Sequence, residues 1–158
     1  MPRMDKTPKT LKVGKLLQVA WLIANAEAKN LGATEILPIH FLLAVMKIID
    51  PAFPDQLDKM NVPSGEWATM CEEAQNIRRY IDVVPERVTN KRRGLRKRLA
   101  ANMAGRPIAE EGMLHRSEAL KRAFSDACMF TEGETLTLRK LVESLFELEL
   151  VSLDDIKG

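Results

Sequence analysis

Val13-Gly14-Lys15-Leu16-Leu17-Gln18-Val19-Ala20-Trp21-Leu22-Ile23-Ala24 opens the stretch that decides the fold, which runs on to Met46. Val13, Leu17, Ala20, Trp21, Ala24, Ala28 and Leu31 recur at steps of three and four, with one adjacent pair. That spacing puts them in a single stripe along an α-helix. Gly32 follows at once and suits the left-handed position that closes a helix. Pro38 fits the first turn of a second helix, where a missing N–H costs little. Phe41, Leu42, Val45 and Met46 nearly encircle that helix, which is therefore expected to be central and buried, ending before Asp50-Pro51.

Downstream, a short helix is expected near Pro54, carrying Leu57 and Met60. Pro63 and Ser64 open a fourth, with Trp67, Met70, Cys71, Ala74, Ile77 and Ile81 at helical spacing. The pattern breaks at Val84-Pro85. From Arg87 to Glu111 the chain is basic and then rich in Gly, Pro and Ala, which reads as a long connection with one helical turn around Leu95 to Met103. That connection is expected to be mobile or to fold over one face. Leu120, Ala123, Phe124, Ala127 and Cys128 then form another helical stripe behind a Ser117 cap. Thr137 caps a helix with Leu138, Leu141, Val142, Leu145 and Phe146, and Ser152 starts a last short turn with Asp154 and Asp155 near its N-terminus.

The two ends of the chain read alike. A shift of 103 positions places Leu17 on Leu120, Ala20 on Ala123, Trp21 on Phe124 and Ala24 on Ala127. A shift of 99 places Leu37 on Leu136, Ile39 on Leu138, Leu42 on Leu141, Leu43 on Val142 and Met46 on Leu145. Two helical pairs, each with one apolar face, can close on each other in one core. The expected fold is all-α, a pseudo-twofold duplicated helical repeat. Residues 1–11 form a flexible tail, 12–84 repeat one, 85–115 the basic connection and 116–158 repeat two. Trp21 and Phe124 should then sit in equivalent surroundings.

Composition narrows the class. The chain has 158 residues, 46% hydrophobic and 29% charged, but only 5% aromatic, a balance that suits packed helices. A net charge of +2 does not by itself call for nucleic acid. Cys71 and Cys128 are far apart with no CxxC spacing, against a disulfide framework or a zinc site. No apolar run reaches the ~20 residues that cross a membrane, and Met1 to Thr10 has no apolar h-region. These features point to a reducing, cytoplasmic setting.

The turn and second helix, Ala33-Thr34-Glu35-Ile36-Leu37-Pro38-Ile39-His40-Phe41-Leu42-Leu43-Ala44-Val45, resemble the signature of the N-terminal domain of Clp-type AAA+ unfoldases. Ser117 to Ala123 and Thr137 to Leu145 are similar to the second copy in that family, with Arg139 in place of the histidine. The resemblance covers residues 12 to 156. It implies a domain of about eight helices that recruits substrates or adaptors to an ATPase ring, and that ring is a further implied partner. Some relatives bind phosphorylated arginine through a glutamate just before the histidine. Here Ile39 and Leu138 occupy those places, and an apolar side chain cannot pair with a guanidinium group. The chain ends at Gly158, where a further helix of repeat two would continue, so the resemblance implies either a shortened second repeat or part of a longer protein.

No catalytic set is legible. A P-loop needs Gly-rich spacing before Lys-Ser/Thr, and Gly14-Lys15 has neither the first glycine nor the hydroxyl. His40 reads as a packed residue that hydrogen-bonds a neighbouring turn. Ser117, His115 and Asp126 lack a nucleophile elbow. No catalytic residue, cofactor or metal is expected, and the chain is read as a protein-interaction domain rather than an enzyme. Lys91, Arg92, Arg93, Arg96, Lys97 and Arg98, six basic residues in eight, form the first candidate partner-binding group. Glu35 and Glu134, beside the two repeat turns, form the second. The basic run also raises an alternative, a nucleic-acid-binding helical protein whose contacts would be sequence-independent and salt-sensitive. It lacks interleaved aromatics to stack bases.

Overall fold

The computed structural model describes residues 11–101 and 112–157. The Met1 to Thr10 tail and Met103, the far end of the expected helical turn, lie outside them. Eight α-helices are present among the described residues: α1 (Lys15–Asn30), α2 (Pro38–Ile48), α3 (Phe53–Lys59), α4 (Trp67–Ile81), α5 (Pro85–Ala101), α6 (Glu118–Met129), α7 (Leu138–Glu147) and α8 (Asp154–Lys157). A one-turn 3-10 helix (Ser64–Glu66) and two two-residue strands, β1 (Lys12–Val13) and β2 (Thr135–Leu136), complete the set. The chain is all-α in class, with 69% of the described residues helical.

Local chemistry explains most boundaries. Gly32 takes φ +72° after α1, and the Ala33 N–H donates to Ala28 O at 2.9 Å, closing the helix end. Pro38 is the first residue of α2. Ser117 Oγ accepts from Leu120 N–H at 3.2 Å and Thr137 Oγ1 from Lys140 N–H at 3.3 Å, so both sequence-derived caps form. Ser152 Oγ likewise accepts from Asp154 N–H at 3.1 Å ahead of α8. On α2 every residue from His40 to Met46 is buried, which makes it the central helix.

Residues 85–101 depart from the expectation of a connection with one helical turn. They form a continuous 17-residue helix, α5, packed on α2 and α8. Pro85 is its first residue rather than a breaker. The following Arg and Lys residues are good helix formers. Only Val88 and Leu95 are buried, with Leu99 half-buried, a spacing of seven and then four. So sparse a stripe hides in a sequence dominated by charge.

The helical pairs are tied crosswise before their first residues. β1 runs parallel to β2, with Lys12 opposite Thr135 and Val13 opposite Leu136. Ile36, just before α2, bridges in parallel to Arg116, just before α6. Gly14 N–H donates to Leu136 O and Ser117 N–H to Ile36 O, each at 2.9 Å. A Cβ on Gly14 would lie 3.1 Å from Leu136 O, so glycine permits this close approach. Gly14 and Ser117, the N-caps of α1 and α6, are 103 positions apart, as the sequence alignment has them. Leu37 and Thr137, the N-caps of α2 and α7, are 100 apart rather than 99. Helix starts and ladder register thus differ by one residue from the shift of 99 read for the second helices.

Where α1, α2 and α6 meet, three rings pack together. Trp21 lies 5.0 Å from Phe124 and 6.4 Å from Phe41, and Phe41 lies 5.7 Å from Phe124, centroid to centroid. The Arg116 guanidinium caps the cluster, 5.1 Å from the Trp21 ring and 4.6 Å from that of Phe124. Trp21 and Phe124 thus face each other across one shared contact.

Candidate partner-binding surface

The basic residues of α5 divide by helical position. Arg92 and Arg96, four apart, turn inward to α1. There Glu27 is buried at 4% exposure, and its Oε2 accepts both cations: Arg92 Nη2 at 3.3 Å and Arg96 Nε at 3.4 Å. Burial lowers the Arg92 pKa, and the Glu27 carboxylate opposes that shift. Arg98 pairs with Asp155 of α8 at 3.0 Å. Arg93 and Lys97 are exposed, and Lys91 is half-buried. Of the six basic candidates, three are therefore bound within the fold.

Two open grooves run beside α8. The first, about 830 Å³, lies between α5 and α8, with Arg87, Lys91, Gly94 and Arg98 on one wall and Asp154 and Asp155 on the other. Nothing lies within 4 Å of where a Gly94 Cβ would be, so its floor is open. The second groove, about 560 Å³, is lined by Ile39, Phe146, Leu150, Val151 and Leu153. Asp155 lines both, so the basic and apolar grooves adjoin along α8. Leu153 is 42% exposed there.

Glu35 and Glu134 are both exposed, as the sequence reading has them. Glu35 precedes the Ile36–Arg116 bridge, and the Glu134 carbonyl accepts from Lys12 N–H at 2.9 Å. Neither lines the α8 grooves nor forms an ion pair among the described residues. The grooves instead use Arg87, Ile39, Phe146, Leu150 and Leu153, which sequence reasoning did not select. The signal for Arg87 was its place four before Lys91 and eleven before Arg98, on one face once residues 85–101 are helical. Nothing in the sequence marks Leu150 or Leu153 apart from core residues.

His40 is structural. Its Nδ1 accepts from Leu37 N–H at 2.8 Å at the start of α2. Burial lowers its pKa to about 4, so the neutral ring that accepts this bond is the form present at pH 7. Ser117 Oγ is engaged as a helix cap and His115 is exposed, so no triad assembles. Cys71 and Cys128 are free and half-buried against the core. Among the described residues no group of three or more His, Cys, Asp or Glu side chains could hold a metal. No helix among them is long and apolar enough to cross a membrane.

Comparison with family models, curated proteins and solved structures finds no match. The resemblance to Clp N-terminal domains rests on the quoted residues.

Proposed function

We propose that the chain is a non-enzymatic, cytoplasmic protein-interaction domain. It is read as a duplicated helical pair, similar to the N-terminal domains of Clp-type unfoldases, that holds substrate or adaptor segments for an ATPase ring. The crossed backbone ties support the duplication. In a pseudo-twofold, Gly14-to-Leu136 and Ser117-to-Ile36 are one bond repeated, with α1 related to α6 by 103 positions and α2 to α7 by 100. In that register Lys140 stands opposite His40, and Arg139, not Leu138, stands opposite Ile39. A cation there would repel a bound guanidinium, so phosphoarginine is still not favoured.

The observation that carries the binding role is the adjoining pair of grooves along α8, one with a basic wall facing Asp154 and Asp155 and one largely apolar. An acidic segment with apolar anchors matches both. Nucleic acid fits less well, because three of the six basic candidates are held in ion pairs within the fold. The test is capture of protein from native lysate by the full chain, beside Lys91→Glu and Leu153→Asp variants. Capture by the parent that both variants lose supports the reading; equal capture by all three refutes it. A duplex-DNA titration separates the alternative: submicromolar binding that collapses with salt would favour nucleic acid.

A further inference from the structure

Between α1, α2, α3 and α5 lies a separate, half-open cavity of about 300 Å³ that shares no lining residue with the grooves. Leu22 and Met60 form part of its apolar lining, while Lys47, Arg92 and Arg96 supply three cations. Glu27 is the one carboxylate lining it. Both guanidinium groups share a single oxygen of that carboxylate, Oε2. A guanidinium carries five N–H donors, so most of theirs remain unspent on Glu27. Arg92 Nε is buried and has no hydrogen-bond partner among the described residues. The Lys47 ammonium is half-buried and has no hydrogen-bond or ion-pair partner among the described residues. Burial and then the neighbouring Arg92 lower the Lys47 pKa, as expected where cations outnumber anions. Among the lining residues three cations face one carboxylate, and with Lys59 acting on Lys47 and Asp50 on Arg92 the surplus stays at two positive charges, which a dianion balances.

We propose that this cavity binds the phosphate group of a small phosphomonoester through Lys47, Arg92 and Arg96, with the ester's apolar body against Leu22 and Met60. Guanidinium forks match paired phosphate oxygens, and a lysine ammonium adds a point charge. Glu27 holds the two arginines in place. The volume, at the small end for ligand sites, suits one compact group rather than a polymer. The inference is independent of the partner-binding reading, since it uses neither α8 groove.

The test is calorimetric titration of the full chain with phenyl phosphate, inorganic phosphate and succinate at matched ionic strength. Saturable binding of phenyl phosphate is expected, with inorganic phosphate about tenfold weaker for lack of the apolar contact. Lys47→Met should weaken phenyl phosphate by about tenfold or more, while circular dichroism and Tm show the fold intact. Should that variant fail to fold, Arg96→Gln serves instead, because its side chain is 43% exposed. No saturable binding, or equal affinity in the parent and the variant, overturns the site. Succinate binding as tightly as phenyl phosphate overturns its assignment to phosphate, and equal binding of inorganic phosphate overturns the role of the apolar wall.

Discussion

Replacing Glu27 by glutamine probes the ion cluster that fastens α5 to α1. The substitution keeps the size of a 4% exposed side chain and removes its charge. Arg92, 18% exposed, and Arg96, 43% exposed, then lose the anion they share, and Lys47 faces them uncompensated. Removing one partner of a buried ion pair costs about 3–5 kcal/mol. Solvent at Arg96 screens part of that, so the low end, about 3 kcal/mol, is expected. For a domain of this size it corresponds to a Tm lower by roughly 6–12 °C. Urea unfolding followed by far-UV circular dichroism measures it, and Arg93→Ala, on the exposed side of α5, should stay within about 0.5 kcal/mol of the parent. The double variant Glu27→Leu, Arg92→Met should recover most of the loss, because apolar replacements of buried pairs are often neutral or better. A Glu27→Gln cost below about 1 kcal/mol, with unchanged m-value, would refute the view that this cluster anchors α5.

Protonation of His40 should make the fold acid-sensitive. Its folded pKa of about 4 lies below the ordinary 6.5, so the unfolded chain binds the extra proton. That stability is fully present above pH 6.5 and is lost as pH falls toward 4, by up to about 3 kcal/mol at 1.36 kcal/mol per pH unit. His40→Gln, which can accept the same Leu37 N–H without titrating, should flatten this part of the urea-midpoint profile between pH 7 and 4.5. Asn25→Ala should cost about 1–2 kcal/mol, because its side chain donates to Gly112 O at 3.2 Å and accepts from Leu114 N–H at 2.8 Å. Hydrogen exchange at Leu114 should quicken markedly in that variant; unchanged exchange would contradict the tether. Gly14→Val should destabilise by about 1–3 kcal/mol, since even its Cβ meets Leu136 O at 3.1 Å and Thr135 Cγ2 at 3.4 Å. A thermal melt equal to the parent's would show that the β1–β2 tie yields easily.

Helices with dense apolar stripes and local punctuation were legible in the sequence. Leu17 to Leu31, the buried run of α2, the Gly32 turn, Pro38 at N1 and the Ser117 and Thr137 caps depend on residues within one or two turns of each other. Helical spacing and capping are short-range effects, so a single strand of sequence carries them. His40 as a packed residue was legible for the same reason, its partner Leu37 being three residues away. Helix α5 was not. Its face carries Val88 and Leu95 among seven Arg and Lys residues, and what makes that face apolar is α2, supplied from elsewhere in the chain. The shift of 99 between the second helices aligns Leu with Leu, where several registers serve equally well, whereas the N-caps of α2 and α7 stand 100 apart. Backbone pairing of Gly14 with Leu136 and of Ser117 with Ile36 joins residues far apart in the chain, and no local spacing encodes it. Tertiary structure likewise decided which cations are free. Glu27 shares a cluster with Arg92 and Arg96 across 65 or more residues, and Asp155 takes Arg98, so charges that look alike in sequence differ in what they can hold. Coulomb attraction acts through space, and no local spacing encodes the distance between residues on separate helices.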